Sequence, residues 1–128
     1  MAGNASDYLE EAIGDHVFMN VPYTSPSTLY LAVYSVAPTD AGGGTEATGG
    51  SYAREVVTFE QGASPGQYLN DVAIDFVNMP AGTWVAYGIH DHPTAGNLLT
   101  HAAPVSPKTT SAGQTLNVAA GDVAATVT

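Results

Sequence analysis

His90-Asp91-His92 is the segment of this chain best equipped for chemistry. Residues two apart in an extended chain face the same side, so both imidazoles can reach one ion. Zinc takes a third protein ligand at most sites, and His101, farther along the chain, is available for it. The segment runs straight into Pro93-Thr94-Ala95-Gly96, however, which places it at the exposed end of a hairpin. No cysteine is present to supply a thiolate. His90, His92 and His101 are therefore kept as metal candidates, but the expectation is surface or packing histidines, with no cofactor. His16 falls on an apolar helical stripe and reads as a packing or interface residue.

The other routes to chemistry are weaker. Asp71 and Asp75 lie four apart in an expected strand, hence on one face, opposite Val72, Ile74 and Phe76. A glycosidase pair needs a substrate cleft and a raised pKa on one member, and nothing nearby signals either. No Gly-x-Ser-x-Gly elbow occurs. The glycines at 42, 43 and 44 are followed by Thr45-Glu46 and a strand, whereas a phosphate loop needs a helix start and usually a lysine. The stretch 41–50 is read instead as an exposed Gly-rich loop, an arm that touches a neighbouring subunit. No enzyme is expected.

Composition sets further bounds. A chain of 128 residues makes one domain, 1–128, with room for one continuous core. Charged residues form 11% of it, against ~25% in an ordinary soluble domain, so Thr, Ser, Gly, Asn and Gln must build much of the surface. No apolar run reaches the ~18 residues that span a bilayer, and Met1-Ala2-Gly3-Asn4 does not open like a secretory signal. No membrane partner is expected. Two basic residues, Arg54 and Lys108, stand against twelve acidic ones, for a net charge of −10. Binding nucleic acid relies on several Lys and Arg neutralising phosphates, so no nucleic-acid partner is expected either.

The elements that must position these residues follow from periodicity. Ser6 is a good N-cap, and Asp7, Glu10 and Glu11 favour the positive end of a helix dipole. Leu9, Ala12, Ile13, His16 and Val17 recur at helical spacing, which predicts a helix over 6–19 that Asn20-Val21-Pro22 ends. A helix this short is marginal alone, so its stripe needs a partner, either the domain's own sheet or another chain. From Thr28 the pattern turns extended. Strands are predicted over 29–34, 54–60, 71–76, 83–89, 97–101, 114–119 and 123–127, separated by Pro- and Gly-containing turns. The fold class is mainly β: an antiparallel β-sandwich or barrel over 28–128 with a short N-terminal helix.

The run Thr28-Leu29-Tyr30-Leu31-Ala32-Val33-Tyr34, then Ala37-Pro38-Thr39-Asp40-Ala41-Gly42-Gly43-Gly44-Thr45-Glu46 and Gly49-Gly50-Ser51-Tyr52-Ala53-Arg54, resembles small tailed-phage virion proteins. These are described as minor capsid (decoration) or tail-fibre proteins. Gly88-Ile89-His90-Asp91, Gly96-Asn97-Leu98-Leu99, Pro107-Lys108-Thr109 and Ala120-Gly121-Asp122 extend the likeness over nearly the whole chain, in order. The resemblance implies a non-enzymatic virion protein. The expected role is a decoration or cement protein on the outer capsid, bound to the major capsid protein and forming a homo-oligomer on the virion. A tail or head fibre component that engages the host surface is the alternative, and a metal- or carbohydrate-binding module is a third reading. The family pattern often has Phe at the position of His90 and no histidine at that of His92, which argues against a shared metal site.

Interface candidates come from residues outside the strand pattern. Seven tyrosines and one tryptophan exceed what the core needs, and such residues are enriched at interfaces. Tyr30, Tyr34 and Tyr87 read as half-buried strand residues. The expected contact residues are Tyr8, Leu9, Ile13, Val17 and Tyr23 around the helix, and Gly42, Gly43, Gly44, Thr45 and Glu46 in the loop.

Overall fold

A computed structural model describes residues 3–127. Its N-terminal part is a strand, β1 (Gly3–Ala5), and one helix, α1 (Asp7–Phe18). Ser6 caps the helix, its Oγ accepting the Leu9 N–H at 3.2 Å. Twelve further strands follow: β2 (Leu29–Val36), β3 (Thr45–Glu46), β4 (Glu55–Val57), β5 (Phe59–Gln61), β6 (Gln67–Asn70) and β7 (Ile74–Phe76) come first. Then come β8 (Gly82–Trp84), β9 (Ala86–His90), β10 (Leu98–Ala102), β11 (Lys108–Thr110), β12 (Leu116–Val118) and β13 (Ala124–Thr126). All named strand pairs are antiparallel. The protein is mainly β, a sandwich with one short N-terminal helix.

One layer is a six-stranded sheet, ordered β1-β10-β9-β2-β3, with β4 also on β2. The other is built from three small ladders: β13-β6-β5, β12-β7 and β11-β8. Between them lies the main core. Leu31, Val33, Tyr87 and Ile89 from the large sheet meet Phe76, Trp84, Leu116, Val118 and Met79. Strand alternation sends Ala32, Tyr34 and Ala86 to the opposite face, where they form a second small cluster. Every residue of β9 is buried, so that strand is covered on both faces. Gly88 is required here, because a Cβ at that position would lie 2.7 Å from the Tyr34 ring.

Two apolar runs that read as single strands each serve both layers. The run 54–60 divides at Thr58 into β4, on the large sheet, and β5, on β6. The run 83–89 divides at Val85 into β8, on β11, and β9, at the centre of the large sheet. Strands β6 and β11, which supply the partners across these corners, carry no strong alternation of their own. Strand β7 begins only at Ile74, so Val72 is 56% exposed rather than part of an apolar face. Asp71 and Asp75 are exposed and tie strands together, Asp71 accepting from Thr58 Oγ1 and Asp75 from Asn117 Nδ2.

Candidate interaction surface

The three candidate histidines do different jobs. His90, the last residue of β9, is buried; its Nε2 lies 2.7 Å from the Tyr34 hydroxyl, and the two rings stack at 6.3 Å. Burial, reinforced by the Arg54 charge, lowers its pKa to about 4, and burial then the Glu46 charge raise that of Tyr34 to about 12. His92 Nδ1 accepts the Thr94 and Ala95 N–H groups at 3.1 and 2.9 Å and so shapes the hairpin tip. His101 sits on β10, its Nε2 2.8 Å from Asp40 Oδ1. Among the described residues, no three His, Asp or Glu side chains converge as a metal site.

Stretch 41–50, expected as an exposed Gly-rich loop, is mostly exposed, but parts of it belong to the fold. Thr45 and Glu46 form β3, paired with β2 in the register Tyr34 with Glu46 and Val36 with Thr45. Ala47 is 4% exposed, belongs to the main core and donates its N–H to the Val33 carbonyl. The glycines bring the chain back along β2: Gly42, Gly43 and Gly44 have φ of 99°, 79° and 77°, a region that favours residues without a Cβ. At Gly44 the backbones of Pro38 and Val36 also approach within 2.7 Å of where a Cβ would stand. Composition signalled a loop; the positive-φ glycines instead make a tight return that seats Ala47 in the interior.

Arg54 locks that return to the opposite hairpin. Its Nη2 and Nε bond the Glu46 carboxylate at 2.9 and 3.0 Å, while Nη1 donates to the His92 and Ala95 carbonyls, both at 2.9 Å. A planar guanidinium suits this double role, with a bidentate carboxylate on one side and backbone carbonyls on the other. Tyr52 adds a hydroxyl to Glu46 at 2.7 Å and stacks on Phe76. Burial raises the pKa of Glu46, but hydrogen bonds from Arg54 and Tyr52 and the Arg54 charge outweigh it, and the net shift is downward. Gly42, Gly43, Gly44, Thr45 and Glu46 thus include parts of the fold's own scaffold, and Glu46 is engaged within the chain.

The helix-side candidates separate into two groups. Leu9 is 9% exposed and packs with Ala5 and Leu99, and Ile13 and Tyr23 pack against the same cluster. The stripe therefore lies on the domain's own β1 and β10, and Leu9 is a core residue rather than a surface contact. The reason is spacing: Leu9 and Ile13, four apart, share the face turned to the sheet. Burial raises the pKa of Tyr23, with Tyr8 and then Asp91 adding to it. Val17 at the far end of the stripe runs past the sheet and is 63% exposed, while Tyr8 is 40% exposed. Beside Val17 stand residues the stripe did not include: Phe18 at 86%, Met19 at 68% and Val21 at 45% exposed. The sequence signal was there, since three large apolar residues in 18–21 have no place on a stripe of 9, 13 and 17.

The helix that carries these residues is acidic. Asp7, Glu10, Glu11 and Asp15 lie on α1, and a cleft of about 350 Å³ opens beside Tyr8 between Asp7, Asp40, Gly42 and Asn97. Neither basic side chain is free: Arg54 holds Glu46, and Lys108 Nζ lies 3.6 Å from Asp122 Oδ2. The fold and this surface define a class, a β-sandwich module with a locked polar end and a displayed apolar helix end. A family model described as podophage GP4 fiber I protein gp80 matches residues 4–126. The chain belongs to that family, and so to the proteins of the phage virion. No curated protein matches it.

Proposed function

We propose that this chain is a structural subunit of a phage fibre, working through protein contacts rather than catalysis. The observation that supports it is the family match, which runs through 4–126 and so takes in the helix, the Gly-rich return and both sandwich layers. The fibre reading is preferred to the capsid decoration role because the matching family is described by a fibre protein. The side chains that looked most chemical, His90, His92 and His101, are each engaged within the fold.

In this reading the sandwich is a rigid carrier. Its central strand is buried on both faces, and its hairpin tips are cross-linked by Arg54, so force or contact at one surface is met by one body. Gold-labelled antibody against the chain, applied to intact virions, tests the proposal. Label confined to a few discrete projections is the expected result. Label spread over the whole capsid shell, with copy number in proportion to the major capsid protein, would return the assignment to decoration.

A further inference from the structure

The end of α1 carries its apolar residues in a fixed arrangement. Met19 N–H and Val21 N–H both donate to the Asp15 carbonyl, at 3.0 and 3.1 Å. Asn20 takes φ 57° between them, a left-handed conformation that Asn tolerates well. The His16 ring nitrogen Nδ1 donates to the Val21 carbonyl at 3.0 Å and closes the turn. Val17, Phe18, Met19 and Val21 are thus held in water on a structured helix end, not on a frayed one. Apolar residues clustered on a rigid exposed surface mark a contact site.

We infer that this helix end docks into an apolar pocket rimmed by lysines on a different virion protein, not on a second copy of the chain. The occupant follows from charge. The helix that presents the patch bears Asp7, Glu10, Glu11 and Asp15 and no Lys or Arg. A second copy carries a net charge of −10. Its two basic side chains are already paired, Arg54 with Glu46 and Lys108 with Asp122, so among the described residues no Lys or Arg is left free to set against the helix. Like charges across an interface disfavour association, whereas a basic rim steers the encounter and fixes its register. A preorganised knob also loses little conformational entropy on docking. The inference rests on the reading of the chain as a virion subunit and adds the chemistry of its neighbour.

Methionine oxidation and zero-length cross-linking test it on the assembled particle. Met19 is exposed in the isolated protein, whereas Met79 is 0% exposed and serves as an internal control. Dilute peroxide should convert Met19 to the sulfoxide readily in the purified chain, and severalfold more slowly in intact virions. A carbodiimide, which joins carboxylates to neighbouring lysines, should then link Glu11 or Asp15 to a lysine of another virion protein. Equal oxidation of Met19 in both samples would overturn the docking. So would a failure to form any conjugate through Glu11 or Asp15. Conjugation to Lys108 of a second copy, or protection of Met19 in concentrated purified protein, would overturn the choice of partner. Absence of the chain from virions by mass spectrometry would instead remove the reading on which the inference stands.

Discussion

The two ends of this molecule reverse what their compositions suggest. Residues 41–50 are rich in glycine and have the look of a free arm, yet Glu46 is clamped by Arg54 and Tyr52, and Ala47 is sealed in the core. The helix has the look of a stripe with one buried face, yet its last turn puts Phe18 and Met19 in water. The difference lies in where the partners are. At the Arg54 end the Glu46 carboxylate and the His92 and Ala95 carbonyls find their complement inside the chain, so that end belongs to stability. At the helix end Leu9 and Ile13 pack on the sheet, and Val17, Phe18 and Met19 beyond them stay exposed.

Breaking the Arg54 end should cost the most. Removing one member of a largely buried ion pair leaves the other uncompensated, at roughly 3 kcal/mol. Arg54→Ala also frees two carbonyls of the hairpin tip. Its melting temperature should drop sharply in a calorimeter, and a loss below about 1 kcal/mol would mean that the clamp is ornamental.

Acid sharpens the same contrast. His90 has its folded pKa lowered from 6.5 to about 4, so between those values the unfolded chain binds a proton that the folded chain does not. Stability is therefore full above about pH 6.5 and is lost as pH falls towards 4, by roughly 3 kcal/mol. Glu46, whose pKa is also lowered, adds a loss below its ordinary value of 4.5. Denaturant titrations at a series of pH values should show both windows, and His90→Phe should flatten the upper one while keeping the ring that stacks on Tyr34. An unchanged slope in that variant would show that another group titrates there.

The glycine return offers a smaller test. Gly44→Ala combines φ 77° with backbone atoms 2.7 Å from the new Cβ and should cost about 2 kcal/mol. Gly43→Ala, at φ 79° in open space, should cost about 1 kcal/mol, the strain of the left-handed region alone. Equal losses in chemical denaturation would argue that the close approach at Gly44 relaxes freely.

The sequence was most informative where one physical signal decided the outcome. Ser6 ahead of the stripe marked the helix start, and the continuous aliphatic and aromatic run from Leu29 marked β2. It was least informative where long-range pairing decides. Nothing local in Val56-Val57-Thr58-Phe59 says that the chain changes sheets at Thr58, because both halves alternate equally well. Strand β11 exists through β8, far away in the chain, and β6 pairs with distant β13 as well as with its hairpin neighbour β5. Among the site residues, the partners of His90 and His101, Tyr34 and Asp40, are remote in sequence and were not legible. Arg54 was visible only as part of a family pattern, since its role depends on bringing 46, 92 and 95 together in space.

Phe18 is expected to serve assembly and not folding. Phe18→Ser changes an exposed side chain, so its effect on the purified protein's stability should stay within about 0.5 kcal/mol. The direct measurement expresses wild-type and Phe18→Ser chains together, at equal levels, during infection by a phage that lacks its own copy. Mass spectrometry then reads the ratio of the two peptides in purified virions. Strong enrichment of the wild-type chain in the particles is the expected result. Equal incorporation of the two would contradict it.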